Sequence, residues 1–168
     1  CDYLGGELRG YVRHDPARLA DAGPNPSLFA LFGKGYLAIT FDQPMVDERY
    51  QGIVPLEGDS LAQAAQSYFA QSEQIPSLVR LAAEKRDGRW LAGGLLFQHL
   101  PEGEEGRERI HTQLDHPDWP HVAILAGSVK PEELTDPGLA LDDLIWRLFH
   151  EEAEVRTFTP VHLGRGCR

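Results

Sequence analysis

The chain has 168 residues and a mass of 18.7 kDa, with 42% hydrophobic and 25% charged residues, the balance of an ordinary folded domain. A net charge of -10 argues against nucleic acid or an anionic membrane as partner, because phosphate binding needs clustered positive charge. No apolar run approaches the roughly 18–20 residues that span a bilayer, and nothing at the start reads as a signal peptide. Two cysteines make no disulfide framework, so a reducing cytosol is the expected setting.

In chain order, "ELRGYVRHD" (Glu7–Asp15) alternates apolar and polar and predicts a strand. Residues 16–35, rich in Pro and Gly, read mostly as loop, with a turn of helix around Leu28–Phe32. "GYLAITFD" (Gly35–Asp42) and "RYQGIVPLEG" (Arg49–Gly58) predict two strands joined by "QPMVDE", with Pro55 at an edge or an end. "DSLAQAAQSYFAQSEQIP" is the clearest helix: Asp59 or Ser60 can cap it, Ser60 and Gln63 fit a capping box, and Leu61, Ala64, Ala65, Tyr68 and Phe69 share one face. Pro76 predicts its end, giving about 15 residues or roughly 22 Å.

"LVRLAAEK" and "RWLAGGLLFQHL" predict a hairpin turning at Asp87-Gly88, and Gly93-Gly94 predicts a bulge or a close backbone approach. The charged run "PEGEEGRER" (Pro101–Arg109) marks a boundary. Beyond it, Trp119, Val122, Leu125 and Val129 form one helical stripe, and Leu141, Leu144, Ile145 and Leu148 another. "EVRTFTPVHLG" returns to strand alternation. Strands first and helices afterwards give the fold class: α+β, an antiparallel sheet core with packed helices, followed by a mainly helical segment.

Few motifs carry chemistry. "GKGY" lacks the hydroxyl of a phosphate-binding loop, and "LAGSVK" lacks the second glycine of a nucleophile elbow. His111, His116 and His121 are spaced five apart and would not share a helix face. "HEEAE" lacks the second His of a zincin motif, and His150 reads as a helix C-terminal residue facing the dipole. No enzyme activity is expected. One residue stands out: Cys167 lies between Arg165 and Arg168 with Gly164 and Gly166 close by, a setting that favours thiolate over thiol.

The blocks "RYQGIVPLEGDSLAQAAQSYFAQSEQIP", "AGGLLFQ" and "LIWRLFHEE", followed by a terminal Cys, resemble the bacterial redox-regulated holdase chaperones, the thirty-three-kilodalton heat-shock protein family. The resemblance runs over nearly the whole chain. It implies that residues 1–100 form part of the chaperone core, 101–166 a metastable helical linker, and 167–168 the start of a zinc-binding redox switch. Cys167 matches the first of four zinc-ligating cysteines. The chain lacks an initiating Met and the other three cysteines, so a fragment that binds no structural zinc is expected. The resemblance further implies a cytosolic, ATP-independent chaperone, a homodimer, with unfolding proteins as partners and zinc as cofactor in the reduced full-length protein. Trp119, Val122, Leu125, Leu144, Ile145, Trp146, Leu148 and Phe149 are the expected client-binding residues, packed on the sheet when dormant and exposed when active. The competing reading is a constitutive, non-redox dimerising interaction module.

Overall fold

The structure, a computed structural model, describes residues 1–24, 26–43, 48–100 and 117–165. A short hairpin, β1 (Asp2–Leu4) and β2 (Glu7–Arg9), opens the chain and is followed by helices α1 (Pro16–Asp21) and α2 (Leu28–Phe32). Strands β3 (Tyr36–Gln43) and β4 (Glu48–Pro55) pair antiparallel, from Tyr36 opposite Pro55 to Gln43 opposite Glu48. Helix α3 (Leu61–Ser72) leads to a second long hairpin, β5 (Ser77–Arg86) and β6 (Arg89–Gln98), paired from Ser77 opposite Gln98 to Arg86 opposite Arg89. Three helices follow: α4 (Trp119–Gly127), α5 (Pro131–Leu134) and α6 (Leu141–Phe149). Strand β7 (Gly164–Arg165) returns to lie parallel to β2. The architecture is α+β, as the order of strands and helices predicts.

The block from β4 to β5 is a structural unit whose residues explain one another. The Ser60 side chain accepts from the Gln63 amide at 3.3 Å, and Gln63 Oε1 accepts in return from the Asp59 amide, so both start the helix together. Tyr68 is fully buried and lies over Gly52, where a Cβ would come within 2.6 Å of its hydroxyl; no other residue fits under that ring. The Tyr68 hydroxyl donates to Glu73 at 2.9 Å. Burial, reinforced by that hydrogen bond and the Glu73 charge, pushes the phenol up to about 12. Gln66 Oε1 accepts from the Val79 amide at 2.8 Å and ties α3 to β5. The helix ends at Ser72, earlier than Pro76 alone predicts, because Gln74 turns into the left-handed region (φ 55) and the Ile75 amide closes back onto the Phe69 carbonyl.

The second hairpin turns where expected, with Asp87 and Gly88 both at positive φ. Ladder register continues unbroken through Gly93-Gly94, so the paired glycine marks a close approach and no bulge: a Cβ on Gly93 would press into the Leu134 carbonyl.

Three expectations need correction. Residues 10–15 are not strand; Asp15 instead caps α1, accepting from the Ala17 and Arg18 amides, with Pro16 at the first helical position. That helix, in a stretch read as loop, follows from the Asp-Pro start. The alternation in 154–163 makes no strand either. A strand needs a neighbour for its amides and carbonyls, and only Gly164–Arg165 finds one, leaving Phe158 86% exposed. The boundary at Pro101–Arg109, residues 44–47 of the link "QPMVDE", His111, His116 and Cys167 lie outside the described residues.

Candidate functional site

The hairpin β5–β6 has two faces, and pairing in register places opposite residues side by side on the same one. Leu78 and Phe97, Arg80 and Leu95, and Ala82 and Gly93 form one face; Val79 and Leu96, and Leu81 and Gly94, form the other. The second face receives α3. The first receives the helical layer of α4, α5 and α6.

Sequence makes that layer amphipathic. Leu144 and Leu148 fall one turn apart on α6 and are 1% and 5% exposed; with Val129 they form a buried cluster against Leu95 and Phe97 of β6. Phe149 joins it, its ring 5.9 Å from Phe97. Leu125, Leu134 and Leu139 pack on its rim. Trp119, at the start of α4, stacks on His99 beyond the end of β6 (centroids 5.9 Å, planes 27° apart). Val122 lines a groove of about 500 Å³ with Phe97, Leu100 and Phe149.

Six of the eight expected client-binding residues therefore lie along the contact with β6, its end or the buried cluster: Trp119, Val122, Leu125, Leu144, Leu148 and Phe149. Ile145 is half-buried. Trp146 departs from the expectation of sheet packing. It is 63% exposed and tilts against His150, whose Nδ1 lies 3.1 Å from the Trp146 carbonyl, because position 146 falls on the helix side opposite the Leu144–Leu148 stripe.

Polar contacts knit the layer internally. Arg147 makes a two-pronged ion pair with Glu133, at 2.7 and 3.0 Å, joining α6 to α5. His121 Nε2 lies 3.0 Å from Glu152, joining α4 to the turn after α6. Thr135 Oγ1 donates to the Pro131 carbonyl at 3.3 Å. Of two features that anchor the layer, Gly93, which admits the Leu134 backbone, is the close approach that Gly93-Gly94 predicts, whereas Arg80, whose Nε donates to the Ala126 carbonyl at 3.0 Å, escapes the sequence reading. The signal for Arg80 is a charge placed on an otherwise apolar strand face.

On the opposite face, Leu81, Leu96 and Trp90 stay largely exposed, and Leu81 borders an apolar groove of about 670 Å³ with Leu28, Leu31, Phe32 and Leu61. Large apolar side chains are exposed throughout the described residues, twenty-four of them against nine buried apolar residues. The apolar core is accordingly thin. Among the described residues no cluster of His, Cys, Asp or Glu is placed to hold a metal, and no helix is long and apolar enough to cross a membrane. Cys1 is free and exposed.

A family model described as Hsp33 protein matches residues 1–168. The chain belongs to the Hsp33 family. Similar proteins bear this out: a 33 kDa chaperonin of Caulobacter vibrioides is 39% identical over 170 residues, covering 97% of this chain and 54% of the relative. One from Vibrio cholerae is 36% identical over 161 residues, covering 96% and 50%. The crystal structure of the Thermotoga maritima 33 kDa chaperonin, an Hsp33 homologue, shares the fold with a TM-score of 0.56 at 19% identity, over 81% of this chain and 43% of that one. The chain spans about half the length of the curated relatives it matches. The most specific Hsp33-like block, Arg49–Pro76, is thus a structural lock around Gly52 and Tyr68, and the apolar interface between β6 and the helical layer is the candidate working surface.

Proposed function

We propose that this chain is part of an ATP-independent holdase chaperone of the cytoplasm. Residues 1–100 serve as the core platform, 101–166 as a metastable linker, and 167–168 as the beginning of a redox switch. In the dormant state α4–α6 shield the Leu95–Phe97 face. In the active state the layer lifts, and both its stripe and the face beneath bind the apolar segments of unfolding proteins, with oxidation as the trigger and a homodimer as the working form. The protein carries out no bond-making chemistry on its clients.

The observation that carries this reading is the layer's thin anchorage. Three side chains, Val129, Leu144 and Leu148, supply its buried cluster, and the layer's other apolar residues there, Leu125, Leu134, Leu139 and Phe149, are only partly buried. A layer held by so few fully buried side chains opens at lower free energy than a deeply packed core. Once released, it would expose an apolar patch of the kind that captures other chains. Family resemblance adds zinc as the clamp of the reduced full-length protein. Structural zinc takes four ligands and Cys167 supplies one thiolate, so the residues present do not fit the ion by themselves.

Two measurements test the proposal. A hydrophobic dye should bind more strongly after oxidant treatment of the full-length protein, and unchanged binding would contradict unmasking. Light scattering by a thermally unfolding client, with and without reductant, separates a switched chaperone from a constitutive module: protection that ignores reductant favours the latter.

A further inference from the structure

The helical layer is tied together more tightly than its buried cluster requires. Arg147 holds α5 to α6 through Glu133, and His121 holds α4 to the turn beyond α6 through Glu152. These bonds run within the layer. Arg80 does something different. It stands on β5, on the strand face shared with Leu78 and Leu95, and its Nε reaches across to the carbonyl of Ala126 at 3.0 Å. Ala126 is completely buried in the last turn of α4, and its carbonyl also accepts the longer bond of the Val129 amide, at 3.4 Å. The Arg80 guanidinium is the shorter, charged partner of that carbonyl and meets the negative end of the helix dipole, a pairing stronger than a neutral hydrogen bond.

We propose that Arg80 is the latch of the helical layer: a positioning residue whose bond to the α4 terminus sets how readily α4, α5 and α6 leave the sheet as one body. The proposal rests on the reading above for its consequence, but the latch itself is a property of this interface. The geometry favours a single release event. Breaking the Arg80 bond frees α4, while the Arg147–Glu133 and His121–Glu152 bonds oblige the neighbouring helices to move with it. The lost bond leaves the buried Ala126 carbonyl with only the longer 3.4 Å bond from the Val129 amide, a shortfall that contact with water makes good. Release of the layer is thereby made easier.

The test is amide hydrogen exchange on the full chain with Arg80→Met, which keeps most of the aliphatic stem and removes the donor, and with Arg80→Lys, which keeps a charge and a donor without the planar fork. Arg80→Met should speed exchange in α4 and α6 together by about tenfold or more, leave α3 protected as in the parent, and raise dye binding in reductant. Arg80→Lys should fall between the two. Unchanged exchange in α4 and α6 would overturn the latch, and so would an equal rise in α3, which would make Arg80 a general stabiliser of the fold. Faster exchange confined to the layer, with no gain in protection of a thermally unfolding client, would uphold the latch and count against the chaperone reading.

Discussion

Replacing Gly93 with alanine adds one methyl group at the point where β6 passes under α5. Its Cβ would collide with the Leu134 carbonyl oxygen and lie only 2.9 Å from the carbonyl carbon. Both obstacles are backbone, so no side chain can swing aside. Gly93 lies in a regular ladder opposite Ala82 and has no left-handed backbone to strain, so the whole effect is steric. The layer must retreat by roughly 1 Å, and a gap of that size forfeits a quarter to a half of each dispersion contact it opens. The contacts at stake are those of Val129, Leu144 and Leu148 with Leu95 and Phe97. Overpacking of this kind costs about 1–3 kcal/mol. For a chain of this size that lowers the thermal midpoint by about 4–8 °C if the loss is near 2 kcal/mol. Calorimetry and dye binding in reductant are the assays, and dye binding should rise several-fold. Gly127→Ala is the control: it sits in the same interface, but its Cβ would meet nothing nearer than Arg80 Nη2 at 3.9 Å, so stability should stay within about 0.5 kcal/mol. Equal behaviour of the two variants would refute the close approach of β6 and α5.

Tyr68→Phe removes the 2.9 Å bond to Glu73 and should cost about 1–2 kcal/mol in urea unfolding. The same substitution should change the alkaline limb. With the folded phenol pushed up to about 12 from an ordinary 10.0, its stabilisation is complete below pH 10 and is lost as pH rises towards 12, so Tyr68→Phe should flatten stability across that window. Ser60→Ala should cost about 1 kcal/mol through loss of the α3 cap, read by the same unfolding curves. Gly52→Ala would drive a Cβ into Ser72 Oγ and to within 2.6 Å of the Tyr68 hydroxyl; it should lower soluble yield and abolish slow exchange in α3.

Local rules made much of this fold legible. The two long hairpins, α3 with its cap, and helices α4 and α6 have local patterns that agree with their tertiary partners, although Val129 lies just past the end of α4 and Leu141 stays exposed. What failed lacked a partner to make the pattern pay: residues 154–163 alternate like a strand, yet no neighbouring ladder receives them until Gly164. Helix α1 lies in a Pro- and Gly-rich stretch that reads as loop, and its start is the cap Asp15 followed by Pro16. Within the candidate site, apolar periodicity located the residues that pack on β6. It could not place Trp146, because a helix with apolar residues on both sides does not say which side meets the sheet. Nor could it find the Arg80–Ala126 bond, which joins positions 46 residues apart through a backbone carbonyl that has no signature in sequence.

Leu144 lies at the heart of the helical layer's anchorage, 1% exposed, and truncating it should cost about 2–5 kcal/mol. Light scattering by a thermally unfolding client, with parent and Leu144→Ala chains side by side in reductant, therefore bears most directly on whether the covered face is the binding surface. The loosened variant should suppress aggregation at concentrations where the parent does not. A variant that takes up hydrophobic dye yet protects no better than its parent would contradict that assignment.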